Sequence, residues 1–176
     1  MSGTEGFVRE PEYGQYVLAF LIAPEAPGGG FTGALLVTDS RTRPLEFVSA
    51  APVRPTKIQT YLYGKTLREH ATIDVIARKL VASVSHRPVV IFVDSEELLD
   101  VGRIVKVPVA MLTASGSIAL SGSTPLSQVK FKVSEASKDG ETAVGTLVGE
   151  LEQTIDLLEP FKRTAEALKE ALKAGG

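Results

Sequence analysis

The chain has no cysteine among its 176 residues, so disulfides and thiolate metal sites are excluded. This absence is typical of proteins in a reducing compartment. No apolar run approaches the roughly 18 residues that a membrane-spanning helix needs. The first residues, MSGTEGFVREPEYG, lack the apolar segment of a signal peptide. We therefore expect a cytoplasmic protein without a membrane partner.

A strong net charge is also missing. The 19 Lys and Arg residues and 21 Asp and Glu residues give a formal charge of −2, so the whole chain does not attract nucleic acid or anionic lipid. Any such attraction must come from a local patch. The composition, 44% hydrophobic and 23% charged, is that of an ordinary globular protein. The length is enough for one domain with a substantial core.

Strand-like and helical patterns follow one another along the chain. Apolar runs bounded by Gly and Pro predict strands, and apolar residues at helical spacing after Thr66 predict a crossover helix that ends before Pro88. The predicted strands cover residues 13–23, 33–39, 45–53, 89–93, 107–112 and 128–134. The sequence thus predicts an α/β or α+β fold with a mixed sheet of five or six strands, one main crossover helix and a long C-terminal helical arm.

We expect three parts along the chain. Residues 1–12 are polar and predict a mobile N-terminal arm. Residues 13–135 hold the strands and the crossover helix, and they predict an α/β domain. Residues 136–176 predict a C-terminal helical extension, which follows a Gly/Ser/Thr/Pro-rich tract at 113–127.

Apolar residues recur at a/d spacing through the C-terminal region, over about four heptads, which is the pattern of a coiled coil. Pro160 interrupts this pattern, because proline removes an N–H donor and crowds the preceding turn. Two interpretations stay open. The stripe packs on the protein's own sheet, or it binds a copy of itself or another protein. The residues that would contact such a partner are Leu147, Leu151, Leu158, Phe161, Leu168 and Leu172.

A basic segment runs through the middle of the chain. Six Lys or Arg residues lie between Arg41 and Arg68, against a single acid, Glu46. A short helix at 56–63, with Gly64 as its C-cap, lies within this segment. Cations beside aromatic rings suit single-stranded nucleic acid or an acidic protein surface, whereas solvated charges on turns are the alternative. The candidate contact residues are Arg41, Arg43, Arg54, Lys57, Tyr61, Lys65 and Arg68.

Two carboxylates follow predicted strands. Asp39 ends the second strand and Asp94 follows the run VVIFV. Carboxylates at strand ends could hold Mg²⁺ for phosphodiester cleavage, although Asp at such a junction is also ordinary turn chemistry. His70 and His86 have no cysteine or second histidine nearby in the sequence, so they do not predict a zinc site.

The strings RPLEF (43–47), PVRPT (52–56) and LYG (62–64), followed by a helix and VVIFVD (89–94), resemble a family of uncharacterised bacterial proteins. This resemblance implies a bacterial fold and no particular activity. The order of elements is also similar to ribonuclease H-like folds. Nucleases of that fold carry one Asp on the first strand and another after a later strand, whereas Asp39 falls on the second predicted strand.

The leading hypothesis is a non-enzymatic accessory subunit of a bacterial complex. It would bind a protein partner, or a second copy, through its C-terminal helix, and its basic 41–68 face would contact nucleic acid or an acidic surface. No cofactor is expected. The alternative is a Mg²⁺-dependent nuclease that uses Asp39 and Asp94. A third hypothesis is a small-ligand module built on the Pro- and Gly-rich loop at 24–30.

Overall fold

The computed structural model describes residues 16–115 and 129–175. The predicted arm at 1–12 and most of the Gly/Ser-rich tract lie outside the described residues. The strands described are β1 (Leu18–Ile22), β2 (Phe31–Thr38), β3 (Pro44–Val53), β4 (Val90–Val93), β5 (Val109–Ala114) and β6 (Val129–Val133). The α-helices are α1 (Lys57–Tyr63), α2 (Leu67–Glu69), α3 (Arg78–Ser83), α4 (Glu141–Leu151) and α5 (Glu159–Ala174). Three 3₁₀ segments cover Gly64–Thr66, Glu96–Arg103 and Glu135–Gly140, and a π-helical segment covers His70–Ala77.

The strands form one mixed sheet in the order β3-β2-β1-β4-β5-β6. β1, β4 and β5 are mutually parallel, and β2, β3 and β6 each run antiparallel to the neighbour that precedes them in the chain. The three parallel strands therefore end on the same side, which we call the carboxyl end of the sheet. They begin at the opposite side, the amino end.

The predicted fold class is confirmed, because the chain is an α+β protein with a mixed six-stranded sheet. β2 and β3 form an antiparallel hairpin. The run VVIFV supplies β4, which is buried and parallel to both neighbours, as fully apolar strands of this kind usually are. None of the helices in the described ranges is long and apolar enough to cross a membrane.

The main helix packs on one face of the sheet. It is a continuous stretch made of α2, the π-helical segment and α3, and its Ile73, Ile76 and Leu80 are buried against the strands. Gly33 on β2 makes this close contact possible. A Cβ at that position would lie 2.7 Å from Ile76 Cγ2 and 2.9 Å from the Ile22 carbonyl oxygen, so the helix could not approach as closely over a larger residue.

The two C-terminal helices pack on the opposite face. Phe161 of α5 meets Phe20 of β1 in an edge-to-face contact with the ring centroids 5.4 Å apart, a favoured geometry for aromatic pairs. Helices therefore cover both faces of the sheet. The six residues predicted to bind a partner all belong to this core: Leu151, Phe161 and Leu168 are buried, and Leu147, Leu158 and Leu172 are partly buried against it.

The C-terminal region forms two helices, and the break between them precedes Pro160. α4 ends at Leu151 and α5 begins at Glu159, so Pro160 occupies the first turn of α5, where its missing N–H costs nothing. Asp156 Oδ1 accepts hydrogen bonds from the N–H groups of Leu158 and Glu159, at 2.9 and 3.3 Å. The chain therefore turns at 152–158, and a carboxylate satisfies N–H groups at the start of α5.

β3 and β6 are the outer strands of the sheet. β3 is ten residues long and contains Pro44 and Pro52. Its Leu45 and Phe47 are exposed, at 41% and 37% of their surface. Proline is tolerated in an outer strand, because such a strand forms hydrogen bonds with a neighbour on one side only.

Candidate interaction surface

α1 is a short helix fixed by local hydrogen bonds at both ends. Thr56 is its N-cap: Thr56 Oγ1 accepts the Gln59 N–H at 3.2 Å, while Gln59 Oε1 accepts the Thr56 N–H at 2.9 Å. This reciprocal pair is a capping box. At the other end, Gly64 donates its N–H to the Thr60 carbonyl, and the predicted Gly64 C-cap is confirmed. The sequence therefore encodes this helix locally, although seven residues would not hold a helix by themselves.

No residue of α1 is buried. Ile58, Tyr61 and Leu62 are exposed at 70%, 84% and 79% of their surface. Their spacing of three and four residues places them on one side of the helix. Single exposed apolar residues are ordinary on protein surfaces, but a contiguous group of large ones marks a contact site. We call Lys57, Ile58, Tyr61, Leu62 and Lys65 the α1 surface.

Three contacts hold this region against the rest of the protein. The Tyr63 ring stacks on His70 of the main helix, with the centroids 4.3 Å apart and the planes at 19°. Arg68 Nε donates to Glu97 Oε1 at 2.7 Å, and Arg68 Nη1 lies 3.4 Å from Glu25 Oε1. The hydrogen bond to Glu97 and the nearby carboxylate charges raise the pKa of Arg68, despite some desolvation. Arg68 therefore links the start of the main helix to Glu97 and Glu25.

The charges near α1 differ in their availability. Arg54 donates to the Pro27 carbonyl at 3.2 Å and so braces the loop before β2. Lys57 and Lys65 have no carboxylate within ion-pair distance among the described residues. Two uncompensated positive charges therefore flank the apolar residues of the α1 surface.

The basic segment predicted from the sequence does not form one face. Arg41 and Arg43 lie in the turn between β2 and β3, at the amino end of the sheet, whereas Arg54 and α1 lie at the carboxyl end. The ten residues of β3 separate the two groups, which corresponds to about 33 Å for an extended strand. β3 pairs with β2 from Pro44 to Val53 and so carries the chain from one end of the sheet to the other. Of the seven predicted contact residues, Arg54, Lys57, Tyr61, Lys65 and Arg68 are brought together.

Asp39 closes the β2–β3 turn. Its Oδ1 accepts the N–H groups of Arg41 and Arg43, both at 2.9 Å, and its Oδ2 pairs with Arg43 Nε at 2.6 Å. Desolvation acts to raise the pKa of Asp39, but the hydrogen bonds from Arg43 and Arg41 outweigh it and lower that pKa. These bonds are the turn chemistry that the sequence offered as the alternative to metal binding.

Asp94 lies at the other end of the sheet from Asp39. Thr38 pairs with Leu18 and Val93 pairs with Leu21, so the two aspartates lie at opposite ends of β1, about 16 Å apart along the strand direction. Two metal ions that act together lie about 4 Å apart. The structure therefore does not bring this pair together. In residues 16–115 and 129–175, no three His, Asp or Glu side chains cluster as metal ligands would.

Desolvation raises the pKa of the Asp94 carboxyl, and a hydrogen bond from its own backbone N–H opposes this change. The residue is exposed overall. No cation is paired with it among the described residues. Asp94 is therefore a carboxyl at the carboxyl end of the sheet that no described cation neutralises.

The loop at 24–30, proposed from the sequence as a ligand-binding element, is closed by its own backbone. Ala26 donates its N–H to Gly30, and Gly29 donates its N–H to Ala26, both at 3.0 Å. Gly28, Gly29 and Gly30 have φ values of 78°, 95° and 93°, which only glycine adopts readily. The glycines thus serve the turn that connects β1 and β2.

The exposure of α1 was not evident from the sequence. The segment KIQTYLY contains aromatic and aliphatic residues, and such residues are usually taken as half-buried. One sequence feature does indicate this exposure. Beyond Gly64, no apolar residue continues the helical spacing of Ile58, Tyr61 and Leu62. A seven-residue apolar face between a capping box and a glycine has too little length to reach across a sheet.

No family model matches the chain, and no curated protein matches it. The resemblances to a bacterial family and to ribonuclease H-like folds therefore stay predictions.

Proposed function

We propose that this protein is a non-enzymatic accessory subunit that binds a protein partner through the α1 surface. The observation that supports this most directly is the exposure of Ile58, Tyr61 and Leu62, each at 70% or more, on one side of a helix that is capped at both ends. A helix face of this kind fits a complementary apolar groove. The C-terminal helices are not given this role, because their apolar residues pack on the sheet.

The partner proposed is a protein with an apolar groove and an acidic rim. Lys57 and Lys65 would meet carboxylates at the rim, which favours the correct orientation and faster association. Nucleic acid fits this surface less well. Bases stack on aromatic rings and phosphates need several cations. Two of the three apolar side chains here are aliphatic, and among the described residues Lys57 and Lys65 are the flanking cations that have no hydrogen-bond or ion-pair partner.

A photocrosslinking experiment tests the proposal in cells of the source organism. Tyr61 is replaced in the full chain by the photoreactive residue benzoylphenylalanine, and the products are identified by mass spectrometry. We expect one discrete product that contains a second protein. The same product should disappear when Ile58→Ser and Leu62→Ser are added, because the apolar contact is then lost.

The matched control places the same photoreactive residue at Phe47, an aromatic position on β3 that is also exposed. The Phe47 position should not give the product seen from Tyr61. Four results would overturn the proposal: equal products from both positions, a product of two copies of this chain, a product with nucleic acid, and no product from Tyr61.

A further inference from the structure

A cleft of about 470 Å³ opens at the amino end of the sheet, on the face covered by the main helix. It lies between the end of α3 and the loops that precede β4 and β5, and Leu35 and Ile91 contribute to its apolar floor. The volume is within the range of small-molecule sites. The cleft and the α1 surface lie at opposite ends of the molecule.

The side chains around this cleft carry one sign of charge. Arg78, Arg87 and Lys106 line it together with His86, and none of the carboxylates in the described ranges does. Arg78 is partly balanced by Asp74 Oδ1 at 3.9 Å, and His86 Nδ1 lies 2.9 Å from Glu46 Oε2. Arg87 and Lys106 have no ion-pair partner in the part of the chain that the structure describes. Two positive charges at the rim are therefore uncompensated.

The loop before β4, on one side of the cleft, is held by Glu46 of β3. The Glu46 carboxylate accepts hydrogen bonds from the N–H groups of Ser85 and His86, at 2.8 to 3.0 Å. These bonds, first those to His86, lower the pKa of Glu46 to about 2. Because these N–H groups are already used, recognition in the cleft falls to the basic side chains.

The carbonyl groups at the end of α3 also face this end of the sheet, and their partial negative charge opposes an anion. That charge amounts to about half a unit, which is less than the two full charges of Arg87 and Lys106. The Glu46 carboxylate behind the loop adds one negative charge, and Asp74 offsets Arg78. Arg87 and Lys106 together exceed these negative charges, so the balance of the cleft is positive over an apolar floor.

We propose that this cleft binds a small organic anion, with an apolar body against the floor and one negatively charged head group at Arg87 and Lys106. A carboxylate, sulfonate or phosphate head group satisfies this chemistry equally well, since each accepts hydrogen bonds from guanidinium and ammonium groups. The proposal is independent of the partner proposed for the α1 surface.

Two dyes that share one ring system test this inference. Anilinonaphthalene sulfonate carries a negative head group, and phenylnaphthylamine is its neutral counterpart. Fluorescence titrations use the full chain with Ile58→Ser and Leu62→Ser, so that the α1 surface does not bind dye. We expect both dyes to bind, the sulfonate more tightly, and added salt to weaken only the sulfonate.

The Arg87→Glu and Lys106→Glu double variant should bind the sulfonate about tenfold more weakly or worse, because two attractions become repulsions. Its affinity for the neutral dye should stay within about twofold of the parent protein. Lys162→Glu, an exposed position on α5 at the opposite face of the sheet, is the matched control and should change neither affinity. The inference is overturned if the double variant loses both dyes equally, or if Lys162→Glu weakens the sulfonate as much.

The location is tested by filling the cleft. Ala82 lines it and is exposed on α3, so Ala82→Trp can be introduced without disturbing the core. We expect this variant to lose both dyes, with its thermal unfolding unchanged. Binding of both dyes at the parent affinity would place the dye site elsewhere and overturn the inference.

Discussion

The C-terminal helices and α1 both present apolar side chains, but the molecule uses the two sets differently. In α4 and α5 the apolar residues recur over four heptads, and the structure packs them on the sheet around Phe20. In α1 three large apolar residues share one side of seven residues, and all are exposed. The longer apolar stripe builds the core, and the shorter one is left for contact.

A long apolar stripe on a helix is therefore not by itself a sign of a binding partner, since the C-terminal stripe packs on the protein's own sheet. A stripe of many turns can cover a whole sheet and gains a large apolar burial by doing so. A stripe of two turns buries little apolar surface against its own sheet, so the hydrogen bonds of its caps have to stabilise the helix. The caps on a short apolar helix, more than its periodicity, point to a contact surface.

The largest expected effect tests the C-terminal side of this comparison. Phe161→Ala removes a buried ring that contacts Phe20, and we expect the free energy of unfolding to fall by about 3–5 kcal/mol, as for other buried aromatic residues. Urea denaturation measures it. The neighbouring exposed Lys162→Ala is the control and should stay within about 0.5 kcal/mol of the natural protein. Equal stability of the two variants would mean that α5 does not depend on the sheet.

A smaller effect is expected at the end of α1. Gly64 has φ 52° and ψ −125°, a conformation that alanine adopts only with strain, so Gly64→Ala should cost about 1 kcal/mol of local stability. We expect trypsin to cleave at Lys57 and Lys65 about fivefold faster, which is the factor that 1 kcal/mol gives for local opening. The midpoint of global unfolding should not move. A parallel loss of global stability would show that α1 is part of the cooperative core.

The Glu46 carboxylate stabilises the fold through hydrogen bonds to the backbone of Ser85 and His86, and not through apolar packing. Because the pKa of Glu46 is lowered to about 2 from its usual 4.5, the unfolded chain binds more protons between these values. This carboxylate therefore stabilises the fold above about pH 4.5, and its contribution is lost as the pH falls towards 2. We expect Glu46→Gln to flatten the stability profile in that window, as measured by urea denaturation at each pH. Glu150→Gln controls for the loss of one acidic charge, and a profile unchanged by Glu46→Gln would contradict the prediction.

The smallest effect is expected on the α1 surface itself. Ile58→Ser and Leu62→Ser together should change the free energy of unfolding by no more than about 0.5 kcal/mol, because both side chains are already in water. Thermal or urea denaturation of the isolated protein measures this value. A loss of several kcal/mol would mean that α1 packs against the protein in solution, as the C-terminal helices do.

The sheet was predictable because its signals are local. Apolar runs bounded by Gly and Pro predicted β2 and β3, and the apolar run VVIFV predicted β4. The main helix was predictable from its 3.6-residue spacing, although its π-helical middle was not. No simple residue pattern distinguishes i→i+5 from i→i+4 hydrogen bonding.

The contact surface was harder to predict, because it depends on distances that the sequence does not contain. Arg43 and Arg54 are close in the chain, but β3 places them at opposite ends of the sheet. The heptad stripe was compatible with a partner helix or with the sheet, and only packing decides between them. The short helix and its Gly64 C-cap were predictable from the sequence, whereas the solvent exposure of α1 was not.

The prolines of β3 have a consequence for how the protein behaves at high concentration. An outer strand of ten residues with exposed Leu45 and Phe47 could template the addition of strands from other copies. Pro44 and Pro52 have no N–H to offer to an added strand, so a continuous ladder cannot extend past either of them. Strand addition is thereby confined to residues 45–51, between the two prolines. The chain therefore exposes an apolar helix at one end of its sheet and an apolar strand along its side, and the two prolines limit the length over which another strand could pair with β3.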